Sequence, residues 1–119
     1  MKLDHIVLLL GDLEASLPYY EALLPLLGFA RTRDHVWGNE NGLYLDLQQS
    51  TEPGEGYRRF GVGLNHLGFT APDRPSLDAI AAKMREAGFE VPDFQTFGSA
   101  VALFMKDRDG IRFEITFYG

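Results

Sequence analysis

A short pattern occurs twice along this chain of 119 residues. Leu3-Asp4-His5-Ile6-Val7 returns as Leu64-Asn65-His66-Leu67-Gly68, and Leu27-Gly28-Phe29 as Ala87-Gly88-Phe89. Asn41-Gly42-Leu43-Tyr44-Leu45-Asp46-Leu47 returns as Asp109-Gly110-Ile111-Arg112-Phe113-Glu114-Ile115. Two copies of one module leave few folds open, because any element order adopted by the first copy has to suit the second as well. The ligand-capable side chains repeat too: His5 and His66 near the start of each copy, Asp46 and Glu114 near the end. Two related half-sites of this kind are suited to meet at one metal ion.

Composition narrows the chemistry. With 45% hydrophobic residues the chain fits one globular domain able to bury a core: a first module over about residues 1–49, a connection over about 50–61 and a second module over about 62–119. The net charge of −6 and pI near 4.9 argue against nucleic acid, which demands a basic face. There is no cysteine, so disulfides, thiolate nucleophiles and zinc–sulfur sites are excluded, and imidazole and carboxylate remain as metal-binding groups. The apolar run Ile6 to Leu10 is too short to span a bilayer and Met1-Lys2 opens no signal peptide, so the expectation is a cytoplasmic protein with no membrane contact.

Local patterns give each module the order β-α-β-β-β. Leu3 to Leu10 is almost wholly apolar, as in a strand covered on both faces. A helix follows through Tyr19 to Leu24, with Ser16 as its expected cap, Pro18 in its first turn, and Pro25 and Gly28 ending it. Phe29 to Asp34, His35 to Asn39 and Leu43 to Gln48 read as strands, with a turn at Asn39 to Gly42. In the second copy Gly63 to Thr70 is a strand and Ser76 the expected cap. Leu77, Ile80, Ala81 and Met84 then form an apolar helical stripe that Gly88 closes. Strands are expected around Glu90 to Phe94, Val101 to Lys106 and Ile111 to Phe117, with a hairpin turn at Asp107-Arg108-Asp109-Gly110. The second copy is longer than the first around Gln95-Thr96-Phe97-Gly98-Ser99.

Side chains alternate along a strand, so Leu43, Leu45 and Leu47 share one face while Tyr44, Asp46 and Gln48 share the other. Ile111, Phe113, Ile115 and Phe117 likewise oppose Arg112, Glu114 and Thr116, which puts both carboxylates on polar faces. Taken singly, a histidine in a strand is usually a hydrogen-bonded structural residue and a glutamate on a sheet face is usually solvated. The matching positions combine them: His5, His66 and Glu114 supply two imidazoles and a carboxylate, a set that binds divalent Fe, Mn, Zn or Ni and leaves positions open for substrate oxygen.

Asp46 holds the fourth equivalent position but is one methylene shorter than glutamate, which suits a water-mediated role as well as direct ligation. Tyr44, Gln48, Trp37 and Phe104 are candidate pocket residues, and Arg58 and Arg59 with Tyr57 compete with Lys106 and Arg112 to bind an anionic group. His35 has no counterpart in the second copy and reads as structural. Gly54-Glu55-Gly56 lacks the strand-to-helix context of a phosphate loop.

Over essentially its whole length the chain resembles the vicinal oxygen chelate superfamily, which includes glyoxalase I, bleomycin-resistance proteins, fosfomycin-resistance transferases and extradiol dioxygenases. The carriers are Leu3 to Val7 followed by Asp12-Leu13-Glu14-Ala15-Ser16 and Tyr19-Tyr20, then Leu64 to Phe69, then Asp107 to Ile115, where Arg108 replaces the family's proline. The resemblance implies an α+β fold of two tandem βαβββ modules forming a cupped, incomplete mixed barrel with helices on the outer face. It implies that His5, His66 and Glu114 are metal ligands, Glu114 being also the catalytic residue. Asp46 stands where glyoxalase I carries glutamate, so the chain is more similar to three-ligand members. It further implies a homodimer, with each cup built within one chain or with modules exchanged, acting on a small molecule. The leading expectation is a metal-dependent enzyme of lyase, isomerase, dioxygenase or transferase type. The alternative is a metal-free protein that sequesters a ligand as bleomycin-resistance proteins do.

Overall fold

Each copy of the repeat folds into one open four-stranded sheet and one helix, giving an α+β architecture of two tandem modules in a computed structural model that describes all 119 residues. Unit 1, Met1–Gly56, contains β1 (His5–Leu10), α1 (Leu13–Leu26), β2 (Ala30–Arg33), β3 (Val36–Gly38) and β4 (Tyr44–Gln49). Unit 2, Tyr57–Gly119, contains β5 (His66–Thr70), α2 (Arg74–Glu86), β6 (Gln95–Phe97), β7 (Ala100–Lys106) and β8 (Arg112–Phe117). The sheet orders are β1-β4-β3-β2 and β5-β8-β7-β6, so the first and last strands of each unit lie side by side and parallel. That parallel pair is what brings the two chemistry-bearing segments of each module together. No helix is long and apolar enough to cross a membrane.

The helix-facing side of each sheet is the core. In unit 1 Leu8, Leu10, Leu45 and Leu47 are buried with Tyr20, Leu23 and Leu24 of α1. In unit 2 Leu103, Met105, Phe113 and Ile115 are buried with Leu77, Ile80, Ala81 and Met84 of α2, and the Phe69 and Phe113 rings stack at 6.4 Å. Full burial of one such side chain is worth about 1.5–3 kcal/mol, so these faces fix which side of each strand looks away from the helix.

The repeat runs deeper than the sequence match. Asp12 and Asp73 cap α1 and α2 by accepting from the backbone N–H groups of Ala15 and Ser76, at 3.1 and 2.7 Å. The expected caps were Ser16 and Ser76; the aspartates stand ahead of both, and an aspartate is at least as good an N-cap as serine. Ser16 is instead buried inside α1, and Pro18 falls in the second turn, where its missing N–H leaves the Glu14 carbonyl without its helical donor. The two β-turns before the closing strands are also duplicates. Asn39 Oδ1 accepts from the N–H groups of Asn41 and Leu43, and Asp107 Oδ1 from those of Asp109 and Ile111. Gly42 and Gly110 follow at φ of 78° and 92°, a backbone region open to glycine at no steric cost.

Two further expectations are corrected. β1 is covered on one face only, for Val7 and Leu9 are exposed within the chain. No strand forms at Glu90 to Phe94; Pro92 lacks a ladder donor, and the pairing with β7 is made by Gln95–Phe97 instead.

Candidate metal-binding site

Parallel pairing of β5 with β8 sets His66 opposite Arg112 and Gly68 opposite Glu114, all on the side of the sheet away from α2. His66 Nε2 lies 4.0 Å from Glu114 Oε1. That is too long for a hydrogen bond, so neither atom satisfies the other, and it lies within the reach of two metal–ligand bonds of about 2.0–2.2 Å each. The remaining atoms of both groups are committed elsewhere. His66 Nδ1 is 2.7 Å from Asn65 Oδ1, and Thr116 Oγ1 donates to Glu114 Oε2 at 3.1 Å. An imidazole whose Nδ1–H is donated keeps its lone pair on Nε2, the form in which histidine ligates metals. Gly68 keeps the space beside the carboxylate open: a Cβ there would sit 3.7 Å from Glu114 Oε2.

Unit 1 carries a variant of the same arrangement on β1 and β4. His5 stands opposite Tyr44 and Val7 opposite Asp46. His5 Nδ1 meets Asp4 Oδ2 at 2.7 Å, so its Nε2 is again the lone-pair atom, and Gln48 Nε2 donates to Asp46 Oδ2 at 2.8 Å. Val7, where unit 2 has Gly68, places a side chain beside the carboxylate. Within neither unit do three His, Asp or Glu side chains gather at metal-holding distance. The structure thus brings His66 and Glu114 together in unit 2 and puts His5 at the equivalent place in unit 1.

The other expected site residues divide. Phe104 pairs with Glu114 across β7 and β8, and the Arg112 guanidinium lies 5.2 Å from the centre of the Phe104 ring, so both flank the His66–Glu114 pair. Tyr44 shares the open face with His5, its ring lying across Gly38, where a Cβ would come within 2.7 Å of it. Gln48 has its amide nitrogen engaged by Asp46. Arg58 is exposed in the loop that opens unit 2. Trp37 differs from the expectation of a pocket residue. It is in register with Leu45 and only 7% exposed, which places it in the core. His35 sits in the β2–β3 turn, partly buried, its Nδ1 without a partner.

Sequence reasoning did not single out Asn65, Asp4 or Thr116 as the groups that orient the ligands. The signal was available: each histidine is preceded by an oxygen-bearing side chain in both copies of the repeat. Within unit 2, an imidazole with its lone pair on Nε2 and a carboxylate with one uncommitted oxygen are groups of the kind that ligate a divalent cation accepting nitrogen and oxygen.

Comparison with known proteins agrees with the duplicated fold. The sequence matches the Glyoxalase/Bleomycin resistance protein/Dioxygenase superfamily over residues 2–115. The uncharacterized protein YqjT of Bacillus subtilis (strain 168) is 32% identical over 123 residues, spanning 95% of this chain and 96% of that protein. A candidate glyoxalase from Bacillus halodurans has a similar structure, with a TM-score of 0.80 and 26% identity over 97% of this chain and 94% of that one. A glyoxylase/bleomycin resistance protein/dioxygenase domain from Frankia sp. EAN1pec shares the fold at a TM-score of 0.78 and 22% identity, covering 98% and 97% of the two chains. Duplicated βαβββ units and a sequence match over nearly the whole length lead to one conclusion: the chain belongs to the glyoxalase/bleomycin resistance protein/dioxygenase superfamily.

Proposed function

We propose that the protein is a metal-dependent enzyme acting on a small oxygenated molecule, with His5, His66 and Glu114 as the ligands of a divalent cation. The observation that carries this reading is the His66 Nε2 to Glu114 Oε1 pair at 4.0 Å, each atom left open while its neighbours in the same side chain are hydrogen-bonded. His5 has the same ring polarity, imposed by Asp4. When bound, the cation supplies Lewis-acid stabilisation to an oxygen that gains negative charge during reaction.

The residues around the pair have distinct parts to play. Thr116, by donating to Oε2, holds Glu114 so that Oε1 faces His66. Arg112 brings a fixed positive charge beside the site and Phe104 an apolar ring beneath it, a combination suited to an anionic or oxyanionic group next to a planar or hydrophobic one. Glu114, whose carboxylate is partly shielded from solvent, is the group placed to accept a proton from such a substrate, a role open to Oε1 only while that oxygen is not ligating the cation.

Metal content by mass spectrometry, on protein purified without a metal-affinity tag, tests the reading. Wild type is expected to carry near-stoichiometric transition metal, and Glu114→Ala and His66→Ala to lose it, with a loss of affinity of at least about 10–100-fold. Wild-type protein that takes up no metal after reconstitution would overturn it and leave ligand sequestration as the function.

A further inference from the structure

We propose that Asn65 is a positioning residue: pinned by the loop that opens unit 2, it presets His66 as a ligand through Nε2 before any metal arrives. Asn65 Nδ2 lies 2.9 Å from the backbone carbonyl of Arg59. A carbonyl only accepts, so the amide has to present its NH2 group there. The amide oxygen is then the atom turned toward His66 Nδ1, at 2.7 Å, and an oxygen of that kind only accepts as well. His66 Nδ1 therefore carries the proton, and the lone pair is delivered to Nε2, facing Glu114. One backbone carbonyl thus sets the polarity of the whole chain of groups.

The loop is itself held. The Tyr57 hydroxyl lies 2.8 Å from the Leu64 carbonyl and 2.6 Å from that of Asn65, and its donation clamps the backbone just ahead of β5. The Tyr57 ring rests by the β7–β8 turn, 3.9 Å from where a Cβ on Gly110 would stand. Residues 57–65 therefore form a closed brace between the turn before Glu114's strand and the residue before His66. His5 has the same immediate partner type in Asp4, but the Asp4 side chain is 70% exposed and meets His5 Nδ1, while only its backbone carbonyl is tied to the sheet, by the Tyr44 N–H. Asn65 is thus the braced member of the pair of equivalent positions.

The affinity arm of the test rests on the proposed metal function, and the tautomer arm does not. Long-range proton–nitrogen spectra of the metal-free full chain, taken where the ring is neutral, are expected to show His66 as the Nδ1–H tautomer, opposite to the form that free histidine side chains favour. Asn65→Leu is expected to shift the ring toward Nε2–H and to weaken Zn2+ binding roughly 10–100-fold, with the melting temperature little changed. Asn65→Asp keeps an oxygen against Nδ1, as Asp4 does for His5, and is expected to restore the Nδ1–H tautomer and most of the affinity. An Nε2–H ring in the wild type would overturn the proposal, as would a tautomer and Zn2+ affinity unmoved by Asn65→Leu, or an Asn65→Asp variant indistinguishable from it. If no variant binds Zn2+ but the tautomer follows the substitutions, the metal reading fails and the positioning role stands.

Discussion

Unit 1 and unit 2 share element order, strand order, helix caps and turn chemistry, yet they present different chemistry on corresponding strands. On β5 and β8 a glycine leaves room beside a glutamate, whereas on β1 and β4 a valine stands beside an aspartate. The lesson is that the scaffold residues, which face the helix or the turns, were held to one solution in both copies. The open faces, turned away from the helices, carry different residues in the two copies. Unit 2 sets a histidine near a glutamate there, and unit 1 a histidine with valine, leucine and an aspartate.

Substitutions at equivalent positions sharpen this contrast. The largest effect is expected in the shared core. Phe113→Ala and Leu45→Ala remove fully buried side chains at matching places, and should cost about 3–5 and 2–5 kcal/mol respectively in denaturant unfolding. A near-neutral result at either would mean that the two cores are not equivalent.

Gly68→Val copies the unit 1 residue into unit 2. Its γ-methyl groups extend from a Cβ already 3.7 Å from Glu114 Oε2, so metal affinity is expected to fall about tenfold, or ~1.4 kcal/mol, while stability holds. Titration calorimetry with Zn2+ measures it, and an unchanged affinity would remove Gly68 from the account of why unit 2 differs.

The smallest effect concerns the caps. Asp12→Ala should cost about 1 kcal/mol. At the other cap, hydrogen bonds from Ser76, by its side chain and by its backbone N–H, hold the Asp73 carboxyl below its ordinary value. A carboxylate whose value is lowered by folding contributes stability above the ordinary range and loses it as pH falls toward the lowered value. The difference in melting temperature between wild type and Asp73→Ala should therefore shrink on acidification through that window. A difference that stays constant with pH would show that the cap acts through geometry alone.

Much of this was legible from residue order. Strand alternation placed Asp46 and Glu114 on faces opposite Leu45 and Phe113, and the glycines at 42 and 110 marked the turns, because both signals are local. Residue order misplaces β6 because Gln95–Phe97 is exposed throughout and takes its strand state only by pairing with β7, a contact that a sequence window does not contain. Val91 beside Pro92 carried the stronger apolar signal and no ladder partner. From sequence Trp37 reads as a pocket aromatic, although its register with Leu45 turns it into the core; a three-residue strand is too short for alternation to declare its inner face. Asn65 was missed for a different reason. Neighbours within a strand point to opposite faces, so an adjacent pair is not expected to touch. Asn65 lies just ahead of β5, where the chain is free to bend its side chain back onto His66.

The Asp107 turn has a consequence for fidelity. By accepting from Asp109 and Ile111 and closing at Gly110, it fixes how β7 and β8 are aligned. In a sheet, an error of one residue exchanges the two faces completely, since alignment admits only whole steps. A misaligned β8 would bury Glu114 against α2 and expose Phe113, a state penalised both by an unpaired buried charge and by a lost aromatic contact. Alignment therefore decides, all or none, which face of the sheet carries Glu114. Molecules in which this turn has closed correctly present Glu114 on the open face beside His66, and those in which it has not turn it inward.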